Sequence, residues 1–240
     1  MHILIIGATS GIGYALAEAY IRAGWTVGLT GRRAELLEPL RALAPERVQL
    51  RRHDVTAADS ISVVEGLVAD LGGMQVMVYN SGIGIYNKLL DWAPERDTIA
   101  VNVTGFTELC GRAQRYFEQQ GGGHIVAVSS IAALRGNRTA PAYNASKAFM
   151  ANYLEGLRER AVYQGLPIYV TDIRPGFVKT RMTTQNPKMF WVASPARAAE
   201  QIQAAIARRA KVAYITRRWA LVAALLRFAP DALYRRLMGR

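Results

Sequence analysis

Tyr143 and Lys147 stand four residues apart in Pro141-Ala142-Tyr143-Asn144-Ala145-Ser146-Lys147. On a helix, that spacing puts both side chains on one face. A phenol ordinarily titrates near ~10, so it is a poor acid–base group at neutral pH. A neighbouring ammonium stabilises phenolate and lowers that value, which equips the pair for proton transfer. Eleven tyrosines and five lysines in 240 residues yield about 0.2 such pairs by chance, and the chain holds one. A solvated helix pair also meets the spacing. Thirteen residues before Tyr143 lies Ser130, at the end of an apolar run where a hydroxyl can face a ligand. Serine at a strand end also serves as a turn former.

A second chemistry-bearing segment is Gly7-Ala8-Thr9-Ser10-Gly11-Ile12-Gly13. It follows an apolar run and opens a helical pattern. Glycines there permit a tight turn, close approach of backbone to a pyrophosphate, and close helix–strand packing. The helix N-terminus offers free N–H groups and the positive end of its dipole. The next run ends in Thr30-Gly31-Arg32-Arg33. An acid for a ribose 2′-hydroxyl is missing there, and two guanidiniums suit the 2′-phosphate of NADP instead. The other reading is that both arginines begin a solvated helix.

These residues need a scaffold that brings several loops together. Apolar runs at 3–6, 26–30, 48–50, 76–79, 125–128, 168–173 and 212–215 alternate with helical patterns. Their lack of polar alternation suits strands buried on both faces. Ile12, Leu16, Ala19 and Ala23 predict the apolar stripe of the first helix, closed at Gly24. The rhythm predicts an α/β fold: a Rossmann-type doubly wound parallel sheet in one domain, with a C-terminal helical extension. The boundaries expected are 1–215 for the nucleotide-binding domain and 216–240 for a basic amphipathic extension.

Composition narrows the classes. Slightly over half of the residues are hydrophobic, against a disordered chain. One cysteine, Cys110, excludes an internal disulfide. His2, His53 and His124 are scattered, so no zinc site is expected and no metal is assigned. No signal segment is recognised ahead of the first strand, and the late apolar run 219–226 is short of the roughly 20 residues of a membrane span. A cytoplasmic protein is expected. The net charge of +12 comes with no nucleic-acid motif, and a basic surface also attracts an anionic dinucleotide.

Taken together, these motifs resemble the short-chain dehydrogenase/reductase family over about residues 2–215. The turn of Gly7, Thr9, Ser10, Gly11, Ile12 and Gly13 resembles its cofactor motif. Asp54, followed by Val55, resembles the acid that contacts adenine. Asn80-Ser81-Gly82 resembles its Asn-Ala-Gly motif, and Asn102 its active-site asparagine. Ser130, Tyr143 and Lys147 match the catalytic serine, tyrosine and lysine. Pro175-Gly176-Phe177-Val178-Lys179-Thr180 matches the segment flanking nicotinamide. Two departures are Ile6, where a threonine is usual, and Ser81, where alanine is usual. Altered loop hydrogen bonding is expected from them, not loss of activity.

The resemblance implies an NADP-dependent oxidoreductase acting on CH-OH groups. NADPH would deliver hydride to a ketone or aldehyde, with Ser130 polarising its oxygen and Tyr143 as general acid. Lys147 would lower the Tyr143 pKa and hold the nicotinamide ribose, while Asn102 positions a water toward Lys147. Asp54, Val55, Asn80, Ser81, Gly82, Pro175, Gly176, Val178 and Thr180 would line the cofactor, with Tyr143 and Lys147 contacting it too. A homo-oligomer, dimer or tetramer, is implied through helices around the fifth strand. Alternatives are a 3-oxoacyl-thioester reductase and a non-catalytic NADP-binding sensor.

In this family the segment 181–194 would cover the substrate, and here it carries Met182, Met189, Phe190, Trp191 and Val192. With Ile85 and Tyr86 opposite, an apolar or lipid-like carbonyl is favoured. Anchoring to the core is the other reading of Phe190 and Trp191. Residues 208–240 hold nine basic side chains against one acid, Asp231, interleaved with Trp219, Leu221, Leu225, Phe228, Tyr234 and Met238. Pro230 should break a helix there. This extension reads as a peripheral membrane contact, a dimer contact, or a cover over the substrate pocket.

Overall fold

The computed structural model describes residues 1–183 and 189–237. Met238 and Arg240, counted above in the extension, lie outside the described residues.

Strands β1 (His2–Ile6), β2 (Thr26–Gly31), β3 (Val48–Arg52), β4 (Val76–Tyr79), β5 (Gly123–Val128), β6 (Ile168–Pro175) and β7 (Val212–Ile215) form one sheet in the order β3-β2-β1-β4-β5-β6-β7. Every pairing is parallel. Each crossover carries a helix, as parallel neighbours require. In chain order the helices are α1 (Gly11–Arg22), α2 (Glu38–Arg41), α3 (Ser60–Asp70), α4 (Trp92–Ile99), α5 (Phe106–Gln119), α6 (Pro141–Tyr163), α7 (Pro195–Ala207), α8 (Trp219–Phe228) and α9 (Asp231–Leu237).

The two-residue period of a strand distributes the core. Ile3 and Ile5 face a cluster that includes Leu16 and Tyr20 of α1, Leu40 of α2 and Ile202 of α7. Leu4 and Ile6 face the opposite cluster, with Leu67 of α3, Phe106 and Phe117 of α5, and Met150 and Leu154 of α6. Ile6, the departure noted before the first glycine, is thus fully buried in the second core.

One detail differs from the sequence pattern. The buried arc of α1 is Gly13, Leu16, Ala17, Tyr20 and Ile21, and Ala23 is exposed. Tyr20 and Ile21 bury more apolar area than two alanines, so the helix rotates them toward sheet and α7. The C-terminal helices pack on the rest of the domain. Trp219 is 3 % exposed, and Arg135, just after β5, donates from Nε to Leu226 O at 2.9 Å and pairs with Asp231 at 3.1 Å. Pro230 does separate α8 from α9, with Ala229 held extended before it.

Candidate active site

Strand order reverses about β1 and β4, and in such sheets the crevice lies at the carboxyl ends there. A crevice of about 650 Å³ opens at that place, lined at one end by the turn after β1 and at the other by Ser130, Tyr143 and Lys147. It also takes in Thr9, Ser10, Gly11, Ile12, Arg32, Arg33, Asp54, Val55, Asn80, Ser81, Gly82, Pro175, Gly176, Val178 and Thr180. Of the catalytic and cofactor residues expected from the sequence, Gly13 and Asn102 are not in its wall.

The turn is held from both neighbours. The amides of Gly7 and Ala8 donate to Thr30 O at 3.0 and 2.9 Å. Asn80 Nδ2 donates to Gly7 O at 2.7 Å, tying the loop after β4 to the loop after β1. Gly7 has φ +89°, a region that disfavours other residues. A Cβ on Gly13 would fall 2.3 Å from Gly7 O, which explains a glycine set back from the wall. Ser10 adopts an extended N-cap conformation without a side-chain cap. The first-turn N–H groups of α1 therefore remain available to an anion. A Cβ on Gly11 would lie 3.0 Å from Thr180 Cγ2, both residues lining the crevice, so the bare glycine keeps this cradle open and it fits a dinucleotide pyrophosphate.

Next to it, Arg33 Nη2 donates to Thr9 Oγ1 at 3.3 Å, and Arg32 is exposed on the rim. Asp54 Oδ1 accepts from the amide of Thr56 at 3.0 Å and from its hydroxyl at 2.8 Å. Partial burial pushes its carboxyl up, but the Thr56 bonds and the charges of Arg32 and His53 bring it below the ordinary value.

The reactive end is built on α6. Pro141 at its first position presets the helical φ, and one turn separates Tyr143 from Lys147. The Lys147 ammonium lies 5.8 Å from the Tyr143 ring centroid. It donates to Val128 O at 3.0 Å and lies 3.4 Å from Met150 Sδ. Burial lowers Lys147 to about 8, opposed by the charge of Asp172. The expectation that Lys147 makes Tyr143 acidic needs correction. Burial pushes the phenol above its ordinary value, opposed by a hydrogen bond with Ser130 and reinforced by Tyr86. The ammonium is turned toward a carbonyl and a thioether rather than the phenol oxygen, so desolvation dominates. A phenol held in this direction is equipped to donate a proton rather than to accept one.

Ser130 Oγ accepts from the Ala132 amide at 3.0 Å and starts a 3₁₀ turn, Ile131–Leu134. Beside it, Ser129 donates to the buried carboxylate of Asp172, which also accepts from Arg174 Nε at 2.6 Å. Asn102 sits in a π-helical turn, Ala100–Gly105, between α4 and α5. Such bulges concentrate at functional sites. Its Oδ1 accepts from Ile83 N at 2.9 Å, and its Nδ2 donates to Ile83 O at 2.8 Å and Ser146 Oγ at 3.0 Å. Asn102 thus joins the loop after β4 to α6.

Sequence reasoning missed three supporting residues: Ser129, Asp172 and Trp219. Asp172 carried a signal, being a lone acid inside a strand buried on both faces. Trp219 packs behind Gly176, with ring centroids 5.5 Å from Phe177 and 5.0 Å from Phe190. Of the expected apolar wall, Met182 lines the crevice, whereas Ile85, Tyr86, Phe190, Trp191 and Val192 are exposed outside its lining.

The family model described as short chain dehydrogenase matches residues 1–190. The chain belongs to this family. An uncharacterized oxidoreductase of Myxococcus xanthus is 38% identical over 192 residues, covering 76% of this chain and 74% of that protein. One from Mycobacterium tuberculosis is 31% identical over 247 residues, covering 98% and 96%. A short-chain dehydrogenase from Sphingobium yanoikuyae, solved in complex with NADPH, superposes with a TM-score of 0.81 at 24% identity, covering 93% of this chain and 92% of that one. At that identity the likeness is one of fold. As a member of the family the chain is an oxidoreductase that binds a nicotinamide cofactor and acts on CH-OH groups.

Proposed function

We propose that this oxidoreductase uses NADPH to reduce the ketone or aldehyde carbonyl of an apolar or lipid-like substrate. The observation that carries this reading is a half-buried phenol, Tyr143, one helical turn from Lys147 and, with Ser130, on the same crevice as the glycine turn. Arg32 and Arg33, where an NAD site places an acid, favour the 2′-phosphate. When bound, the cofactor supplies a hydride to the carbonyl carbon.

The chain's own residues do the rest. The turn of Gly7 to Gly13 and the α1 N-terminus hold the pyrophosphate, and Asp54 and Val55 border the adenine end. Asn80, Ser81 and Gly82 on one side, and Pro175, Gly176, Val178 and Thr180 on the other, bracket the nicotinamide end. The Ser130 hydroxyl donates to the carbonyl oxygen as charge develops there. Tyr143 transfers its proton to the same oxygen, giving the alcohol. Lys147, charged below about pH 8, holds the ribose hydroxyls and offsets the phenolate left behind. Asn102 keeps the loop after β4 in place beside Lys147, where a water can return the proton. Met182 on the wall and the apolar rim favour a substrate without charge near its carbonyl. Assembly as a dimer or tetramer through α5 and α6 belongs to the same proposal.

The test is NADPH oxidation against a panel of sugar, acyl-thioester, steroid and aromatic carbonyls, repeated with NADH. Turnover of apolar ketones with an NADPH preference is expected. Turnover confined to charged sugars, or a preference for NADH, refutes the corresponding half of the proposal.

A further inference from the structure

Helix α8 is docked by one face and open on the other. Trp219 and Ala223 are buried against the domain. Arg135 fixes the far end through Leu226 O, Ala229 O and Asp231, and Tyr234 Oη donates to Gly136 O at 2.6 Å. The opposite face carries Leu221, Leu225 and Phe228, which are 72, 51 and 80 % exposed. Their spacing of four and three puts them in one row. Arg217, Arg218 and Arg227 bound that row along the chain, Arg235 and Arg236 follow on α9, and all five are exposed. The extension's one acid among the described residues, Asp231, is paired with Arg135.

We propose that this row docks on an anionic lipid surface, inserting Leu221, Leu225 and Phe228 between headgroups while the arginines meet lipid phosphates. An apolar row flanked by guanidiniums on a helix too short to span is the form of an interfacial helix. At about 1.5 Å per residue, the ten residues of α8 reach half of a ~30 Å hydrocarbon core. Charge decides between a bilayer and a second copy of the chain. Two copies meeting here would oppose five arginines to five arginines in a protein of net charge +12, whereas an anionic surface complements them. On the docked side of α8, Phe190 and Trp191 lie 5.0 and 6.0 Å from Trp219, and Arg218 stacks over Trp191 at 5.0 Å. The surface stands independently of which carbonyl is reduced.

The test is flotation of the full chain with phosphatidylcholine vesicles, with and without about one-third phosphatidylglycerol. Flotation is expected only with the anionic vesicles and should fall with added salt. The combined Leu221→Ser, Leu225→Ser and Phe228→Ser variant should lose it. Arg227→Gln with Arg235→Gln and Arg236→Gln should weaken it by tenfold or more, since each surface arginine near such a bilayer counts for about fivefold. NADPH binding and thermal melting report whether each variant folds, and Phe228→Ser alone serves if the triple serine variant does not. Absence of flotation at low salt overturns the proposal. So does flotation unchanged by the serine variants, or a dimer in sedimentation that those variants dissociate.

Discussion

Gly176 lines the crevice on its front and touches Trp219 on its back, so one methyl group tests how the extension supports the site. A Cβ at 176 would lie 2.0, 2.2 and 2.3 Å from Cε2, Cδ2 and Nε1 of the indole. Ordinary carbon contacts begin near ~3.5 Å, so ring and backbone must separate by more than about 1 Å. Neither moves easily. The Gly176 amide is fixed to Ile215 O at 2.7 Å, and the ring is enclosed by Phe177, Phe190 and Trp191. Overpacking of this kind costs about 1–3 kcal/mol, and Gly176→Ala is expected near the upper end. Trp219→Ala removes the obstacle but leaves a cavity, at about 3–5 kcal/mol. In the double variant the new methyl enters that cavity, so the loss should not exceed that of Trp219→Ala alone. Urea unfolding of all four proteins should therefore show a coupling of about 2–3 kcal/mol. Losses that add within about 0.5 kcal/mol would mean that ring and glycine do not bear on each other, and the account of the extension as a support for the wall would fail.

Further outcomes follow from the same geometry. Tyr143→Phe should lower kcat by about 10²–10⁴ with NADPH affinity nearly unchanged; full activity removes the phenol from the reaction. Arg32→Asp should shift the ratio of kcat/KM for NADPH over NADH toward NADH, and an unchanged ratio defeats the 2′-phosphate assignment. Lys147 titrates near 8 when folded and 10.5 when free. Between those values the unfolded chain binds more protons, so stability from this group rises with pH. Wild type should gain up to about 3 kcal/mol on Lys147→Met across that window, and a flat difference in unfolding free energy refutes the burial account. Asp172→Asn removes the charge that holds Lys147 up, so the alkaline limb of the rate profile should move to lower pH; an unmoved limb separates Asp172 from Lys147.

Read alone, the chain's residues mark the strands and most of the side chains that line the crevice. Strands buried on both faces must be apolar at every position, which marks 3–6 and 76–79 without ambiguity. Glycines at 7 and 13 mark the turn because backbone approaches backbone there, and Gly11 takes a positive φ against the Thr180 side chain, constraints that a single residue type satisfies. Tyr143 and Lys147 were legible because their spacing is local to one helix. What depends on distant contacts was not legible. The face of α1 was misplaced because α7, which packs on it, lies far along the chain. The direction of the Tyr143 pKa shift differs from the expectation because spacing places an ammonium near a phenol but does not show desolvation or where the ammonium points. Asp172 beside Ser129, and Trp219 behind Gly176, meet only when β5, β6 and α8 come together. Covalent spacing carries local geometry, whereas desolvation and the partner of a buried charge exist only after the sheet has closed over them.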